Sequence, residues 1–221
     1  MRVIAGEKGG RRLVAPAGLR TRPTSDRVRE AAFSMLESAL ANKGGLAGAV
    51  VWDLFAGSGA LGIEALSRGA AYVTFVDQAH GAVSAVKENL AKLGYGPERS
   101  SVVCAEALRW VHGLDEGPGG GAVPARGADV VLADPPYAWR SWPALLRALY
   151  PFGALVMMET DSEPALPEGW FVHRSRRHGG TLVTLTTCDA SQSRPGQAGP
   201  GQAGPGQPGP GQPGPGRSGG P

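Results

Sequence analysis

The stretch Asp53-Leu54-Phe55-Ala56-Gly57-Ser58-Gly59-Ala60-Leu61-Gly62 decides the fold. It follows the apolar run Ala49-Val50-Val51-Trp52 and opens a helical pattern with Leu61, Ala65 and Leu66 on one face. Gly57, Gly59 and Gly62 spell G-x-G-x-x-G in the strand–turn–helix setting that gives the motif its meaning. Glycines at the first two positions permit a tight turn and a close approach of backbone to ligand. Some 20 residues beyond Gly57, Asp77 closes the next strand-like run, Tyr72-Val73-Thr74-Phe75-Val76. An acid there is placed to take both hydroxyls of a ribose. The first half of the chain therefore reads as a site for an adenosine-containing ligand. Asp53, Phe55, Ala56, Gly57, Ser58, Gly59, Leu61 and Asp77 are its candidate binding residues.

Downstream, the buried-strand pattern Asp129-Val130-Val131-Leu132-Ala133 runs into Asp134-Pro135-Pro136-Tyr137. In an open α/β sheet this is the carboxyl edge, where ligands bind. Two prolines fix two φ angles and remove two N–H donors, so backbone carbonyls are expected to face outward, beside a carboxylate and a flat ring. Such a set suits a planar base gripped by its exocyclic amine. It also bears on the choice between a nicotinamide dinucleotide and S-adenosylmethionine, which the glycine spacing alone leaves open. Asp53, one turn before the glycines, would repel a pyrophosphate but welcomes a ligand carrying an amino group and a sulfonium. A carboxylate with two prolines has no task in hydride transfer and a clear one in amine methylation. S-adenosylmethionine is the expected cofactor.

The elements around these motifs alternate. Residues 2–5 and 12–15 read as a short strand pair around Gly6–Gly10, followed by a helix with Val28, Ala31, Ala32, Met35, Leu36 and Ala39 on one face. Strands are expected at 50–54, 72–77, 100–104, 130–133 and 154–159, with helices at 60–67, 79–93, 106–112 and 142–149 between them. Two late strands, 170–174 and 182–187, close the pattern as a hairpin. Alternating βα units imply a parallel doubly wound sheet. With the hairpin added, the fold class is α/β: a Rossmann-like, mostly parallel seven-stranded sheet of the class I S-adenosylmethionine-dependent methyltransferase type. Three regions follow: a basic hairpin and helix (1–45) serving as a lid over RNA and cofactor, a methyltransferase domain (46–189), and a tail (190–221). The tail repeats PGQAG and PGQPG with a period of five, which excludes collagen, and its composition cannot offset ordering entropy. A Gly-rich loop spans 113–127.

Charge is concentrated. The chain of 221 residues carries a net +3, yet residues 1–30 hold eight basic and three acidic residues. A basic arm on a near-neutral body is a footprint for polyanions, with Arg11, Arg12 and Arg20 as candidate RNA contacts. Cys104 and Cys188 read as buried free thiols in a reducing compartment. There is no signal-peptide core, no membrane-length apolar run and no metal-ligand spacing, which points to the cytoplasm.

Three segments together resemble one family: Leu19-Arg20-Thr21-Arg22-Pro23-Thr24-Ser25-Asp26-Arg27-Val28-Arg29-Glu30, the block from Asp53 to Ala70, and Asp134-Pro135-Pro136-Tyr137. They are similar to the RsmD family of bacterial enzymes, which methylate the N2 amine of a guanine in 16S ribosomal RNA. The resemblance covers residues 2–187. It implies 16S rRNA as partner, within a 30S subunit or an assembly intermediate, and places Arg22, Thr24, Asp26 and Arg29 toward the amino-acid end of the cofactor. It also implies a catalytic set of Asp134, Pro135, Pro136 and Tyr137. The Asp134 side chain and the Pro135 carbonyl would accept the two N2–H bonds, and Tyr137 would stack on the base. Trp139 and Trp142 frame the base pocket or pack in the core. The sequence departs from the family at Tyr137 (usually Phe), at Asp77 (usually Glu), at Glu106 (Asn or Asp, meeting the adenine amine) and at His178-Gly179-Gly180-Thr181 (Tyr-Gly-Asp-Thr). Alternatives are a DNA adenine-N6 methyltransferase, a protein glutamine methyltransferase, and a non-catalytic RNA-binding protein of the same fold.

Overall fold

The computed structural model describes residues 1–16, 25–114 and 127–188. The repeat tail and most of the Gly-rich loop lie outside the described residues, as do Arg20, Arg22 and Thr24.

Seven strands form one sheet: β1 (Val50–Leu54), β2 (Tyr72–Asp77), β3 (Ser100–Cys104), β4 (Val130–Ala133), β5 (Leu155–Thr160), β6 (Trp170–His178) and β7 (Thr181–Cys188). Their order is β3-β2-β1-β4-β5-β7-β6. The first five pair in parallel, and β7 lies antiparallel between β5 and β6. Strand order reverses between β1 and β4, so their carboxyl ends form the crevice where such sheets bind ligands. The glycine block leaves β1 there and Asp134 leaves β4 there.

The helices are α1 (Asp26–Ala39), α2 (Ala60–Ser67), α3 (His80–Leu93), α4 (Ala107–Gly113) and α5 (Trp142–Leu149). Strands buried on both faces carry apolar residues on both. Val51, Val73, Phe75, Leu132 and Met157 pack under α1, α2 and α3, while Trp52, Leu54, Val131, Ala133 and Met158 pack under α4 and α5. Helix α1 begins where Ser25 caps it, its hydroxyl accepting from Val28 N. The expected face of α1 is buried at Ala32, Met35 and Leu36, and Phe33 and Arg29 are buried with it.

Three expectations need correction. The strand pair 2–5/12–15 reduces to a single antiparallel bridge, Arg2 to Arg12, flanked by hydrogen bonds from Val3 N to Arg11 O and from Leu13 N to Met1 O. Ile4, Ala5, Glu7, Lys8 and Val14 spend their N–H groups on the body instead of on a paired strand. Strand β6 runs to His178, four residues beyond the expected end. Its second half, Ser175-Arg176-Arg177-His178, is polar because the strand is a solvent-facing edge, so no apolar alternation marked it. Cys104 is exposed at the end of β3, with Sγ 3.5 Å from His80 Nδ1, whereas Cys188 is buried as expected.

The N-terminal segment is bolted to the domain by two fully buried polar side chains. Glu64 of α2 accepts from Ile4 N (2.7 Å), Ala5 N (3.0 Å) and Arg68 Nε (2.8 Å). Asn89 of α3 accepts from Val14 N (2.8 Å) and donates to Val14 O and Ser58 O (2.9 Å each). Buried polar groups need such partners, and here the partners belong to the arm and the glycine turn.

Candidate active site

The turn between β1 and α2 is built from internally satisfied amides. Ala56 N donates to Val76 O, Gly59 N to Ala56 O, Gly57 N to Asp77 Oδ2 (2.8 Å) and Gly62 N to Asp53 Oδ2 (2.8 Å). A pyrophosphate-binding turn presents free N–H groups at a helix start to the anion. These four are committed within the protein, which disfavours the dinucleotide reading. Gly62 has a packing reason: a Cβ there would stand 2.3 Å from the Phe75 ring and 2.9 Å from Asp53 Oδ2. Phe55 has φ 68°, a left-handed value that costs a non-glycine residue energy and gathers at functional sites. Its ring meets Trp139 edge-on at 5.1 Å, so the strained residue bridges the glycine turn to the segment after Asp134.

Acids converge on this rim. Asp53 is buried, and burial pushes its carboxyl well above the ordinary range. The Gly62 bond opposes this shift, while the nearby charges of Asp134, Asp77 and Glu159 add to it. Carboxylates crowded in this way favour a cationic ligand. Asp77 accepts from Gly57 N and, through Oδ1, from Ala79 N at 2.8 Å, and it stays partly open to solvent. Ser58 is buried with its hydroxyl 3.1 Å from Met1 Sδ, and Leu61 is buried in the α2 face. Glu106 caps α4, accepting from Leu108 N (3.1 Å) and Arg109 N (2.7 Å). Both of its carboxylate oxygens accept from the first turn of α4.

Across the rim, Pro135, Pro136 and Tyr137 line a cavity of about 520 Å³ together with Trp139, Trp142 and Glu159. Pro135 is buried, whereas Pro136 and Tyr137 are exposed, the latter by 41 %. The outward carbonyls expected from the prolines are partly spent: Pro136 O accepts from Trp139 N (2.8 Å), and Tyr137 O accepts from Arg140 Nη1. The turn closes on itself, and these bonds set Trp139 beside the pocket. Trp139 and Trp142 meet edge-on at 5.0 Å, so they both pack and line the pocket. The Tyr137 hydroxyl lies 3.1 Å from Thr181 Oγ1, which draws the β6–β7 turn into the site.

Sequence reading did not pick out Glu159, and it noted Thr181 only as the end of the divergent His178–Thr181 motif. Glu159, at the end of β5, is buried to 2 % exposure. An acid inside the apolar run Leu155-Val156-Met157-Met158 was the available signal. Arg11 and Arg12 are exposed on the bolted arm. Asp26 and Arg29 pair at 3.0 Å, Asp26 also holds Arg2 at 3.0 Å, and the buried Arg29 donates to Arg2 O. These two thus anchor the arm to α1. Burial lowers the Arg29 pKa against the pull of Asp26, Glu64 and Glu159.

Comparison with known proteins decides the family. The model described as "Conserved hypothetical protein 95" matches residues 1–187. The Ribosomal RNA small subunit methyltransferase D of Escherichia coli is 33 % identical over 193 residues, covering 84 % of this chain and 88 % of that one. The chain belongs to the RsmD family. The same-named relative from Haemophilus influenzae is 31 % identical over 186 residues, covering 81 % and 89 %. Among solved structures, the RsmD-family chain aligns with Escherichia coli yhhF, described provisionally as a methyltransferase, at TM-score 0.68 and 32 % identity. The alignment covers 86 % of this chain and 98 % of that one. The Thermus thermophilus protein TTHA0928 aligns at TM-score 0.65 and 27 % identity, over 84 % and 98 %. The observed strand order and the family's methyltransferase fold agree, and the family's run from Leu19 to Asp26 lies largely outside the described residues.

Proposed function

We propose that this protein transfers a methyl group from S-adenosylmethionine to the N2 amine of a guanine in 16S ribosomal RNA, in the cytoplasm, on a small-subunit particle or its precursor. Support for the cofactor comes from a glycine turn with its amides internally committed and a rim crowded with carboxylates, which suits a ligand bearing an ammonium and a sulfonium. The ligand's contribution is an already activated methyl group.

The protein's task is positioning, because an aromatic amine has a lone pair delocalised into its ring. Asp134 and the Pro135 carbonyl accept the two N2–H bonds, and two acceptors at tetrahedral angles turn the lone pair toward the donor. Tyr137 stacks on the base, a contact of about 1–3 kcal/mol. The proton leaves after transfer, when the methylated amine is strongly acidic, so the step needs no strong general base. The target must be unpaired or flipped, since N2 is bonded in a duplex.

The single observation that favours guanine over adenine is Glu159. Guanine presents N1–H beside its N2 amine, a contiguous row of donors. Adenine presents an acceptor at N1 beside its N6 amine. A buried carboxylate in the cavity lined by Pro135, Pro136 and Tyr137 matches the first edge and opposes the second. The test is a 16S RNA carrying 2,6-diaminopurine at the target. It keeps the N2 amine but has an acceptor at N1. Wild type is expected to methylate guanine at least about tenfold faster, and Glu159→Gln is expected to narrow that ratio, since a lost or gained hydrogen bond to a buried charge is worth about 1.5–3 kcal/mol. Methylation of adenine N6 in DNA with none in RNA would overturn the proposal.

A further inference from the structure

Strand β6 is a second basic surface, the outermost strand of the sheet. Residues 171–177 are all exposed, with Phe171 at 58 % and Val172 at 54 %. Between Phe171 and His178 stand Arg174, Arg176 and Arg177 with one further histidine, His173, and no acid. Both β5 and β6 run antiparallel to β7, so β6 points the same way as β5 and ends on the rim that carries Asp134. From there the Gly179-Gly180 turn leads to Thr181, whose hydroxyl meets Tyr137. A row of guanidinium groups therefore starts beside the ring that stacks on the acceptor base.

Register separates the charges. Arg174 and Arg176 oppose Leu185 and Val183, on the face covered by α1, while Arg177 opposes Leu182 and donates to Asp161 O at 3.0 Å. The register shift between Val172 and Arg174 marks a bulge, which adds twist to the edge. Charged residues and bulges also guard edge strands against pairing with another chain. Arginine in an acid-free row, an exposed Phe171 and direct continuity with the catalytic rim go beyond what edge protection requires.

We infer that β6 is a docking surface for the ribosomal RNA strand flanking the target nucleotide, its arginines holding phosphates and Phe171 offering a stacking face. Resting on the function proposed above, this assigns a second anchor for the same substrate: RNA is held by Arg11 and Arg12 of the arm and also by β6. Phosphate contacts fix register on the nucleic acid and carry the salt dependence of binding.

The test compares wild type with Arg174→Gln/Arg176→Gln, using 16S RNA fragments and 30S particles as probes. Binding is measured across salt concentrations, and methylation and cofactor affinity are measured in parallel. The slope of log affinity against log salt is expected to become shallower by about 1.4–1.8, on the order of 0.7–0.9 per lost phosphate contact. The RNA KM is expected to rise about tenfold with kcat and cofactor affinity unchanged, and Arg174→Lys/Arg176→Lys is expected to restore the slope. An unchanged slope and KM would overturn the inference, as would a variant that only self-associates, which would leave β6 as a guarded edge. A wild-type protein that makes no N2-methylguanine, yet loses RNA slope in the variant, would sink the proposed reaction and leave the surface standing.

Discussion

Replacing Asn89 with alanine tests how the arm and the glycine turn are joined. The side chain is fully buried and makes three hydrogen bonds, two to Val14 and one to Ser58 O. Truncation leaves one main-chain N–H and two carbonyls without their partner, the Ser58 carbonyl in a buried site and the Val14 groups half-buried. A typical intramolecular hydrogen bond contributes about 0.5–1.5 kcal/mol net, and an orphaned buried group costs about 1–3. Partial relaxation of the turn brings the whole to about 2–4 kcal/mol. For a domain of this size that is a fall in Tm of roughly 5–15 °C, at about 2–4 °C per kcal/mol. Because the Ser58 carbonyl loses its tether, cofactor affinity should fall with stability, by about tenfold. Asn89→Asp is the stringent control. It keeps the acceptor for Val14 N but faces two carbonyl oxygens with a carboxylate, so it should be no better than alanine. Thermal denaturation and titration calorimetry with S-adenosylmethionine read both quantities. A variant within 0.5 kcal/mol of wild type, with unchanged affinity, would refute the view that Asn89 couples the two segments.

Four further outcomes follow from the site. Asp134→Ala should lower kcat on the order of 100-fold or more while cofactor binding persists, measured by methyl incorporation beside calorimetry, since positioning is the task proposed for it. Tyr137→Phe should stay within a few-fold of wild type, because the stacking face survives, whereas Tyr137→Ala should cost about 1–3 kcal/mol in RNA affinity. Asp53 carries a raised pKa in the free protein, so the folded chain holds its proton at pH values where the unfolded chain has released it. Stability from this group therefore falls as pH rises through the window above the ordinary carboxylate value. A cationic ligand favours the ionised form, so cofactor affinity should rise over the same window with proton release, and Asp53→Asn should flatten that dependence in calorimetry. Glu106→Ala should cost about 0.5–2 kcal/mol by loss of the α4 cap, read as a lower denaturation midpoint.

The order of elements was legible because strands buried on both faces write unbroken apolar runs, and because glycine spacing declares a tight turn. Strands β1 to β4 and helices α2 and α5 fall where the pattern places them. The polar half of β6 was illegible for the opposite reason: an edge strand in water carries no apolar period. Within the site, Asp53, Asp77 and Asp134 could be placed from their positions at strand ends. The prolines misled in one respect, since Pro136 O closes its own turn on Trp139 N. Glu64 and Asn89 left no trace, because a buried polar side chain looks like any surface residue until its partners, some 60 and 75 residues away, are known.

The place of β7 has a consequence for biosynthesis. Chains leave the ribosome from the amino end, and β7 is the last-made strand of the sheet, yet it lies inside the sheet between β5 and β6. Until it slots in, β5 presents an unzipped margin and Tyr137 lacks Thr181. A nascent or prematurely stopped chain would thus be sticky, its open margin closed only when the final strand arrives.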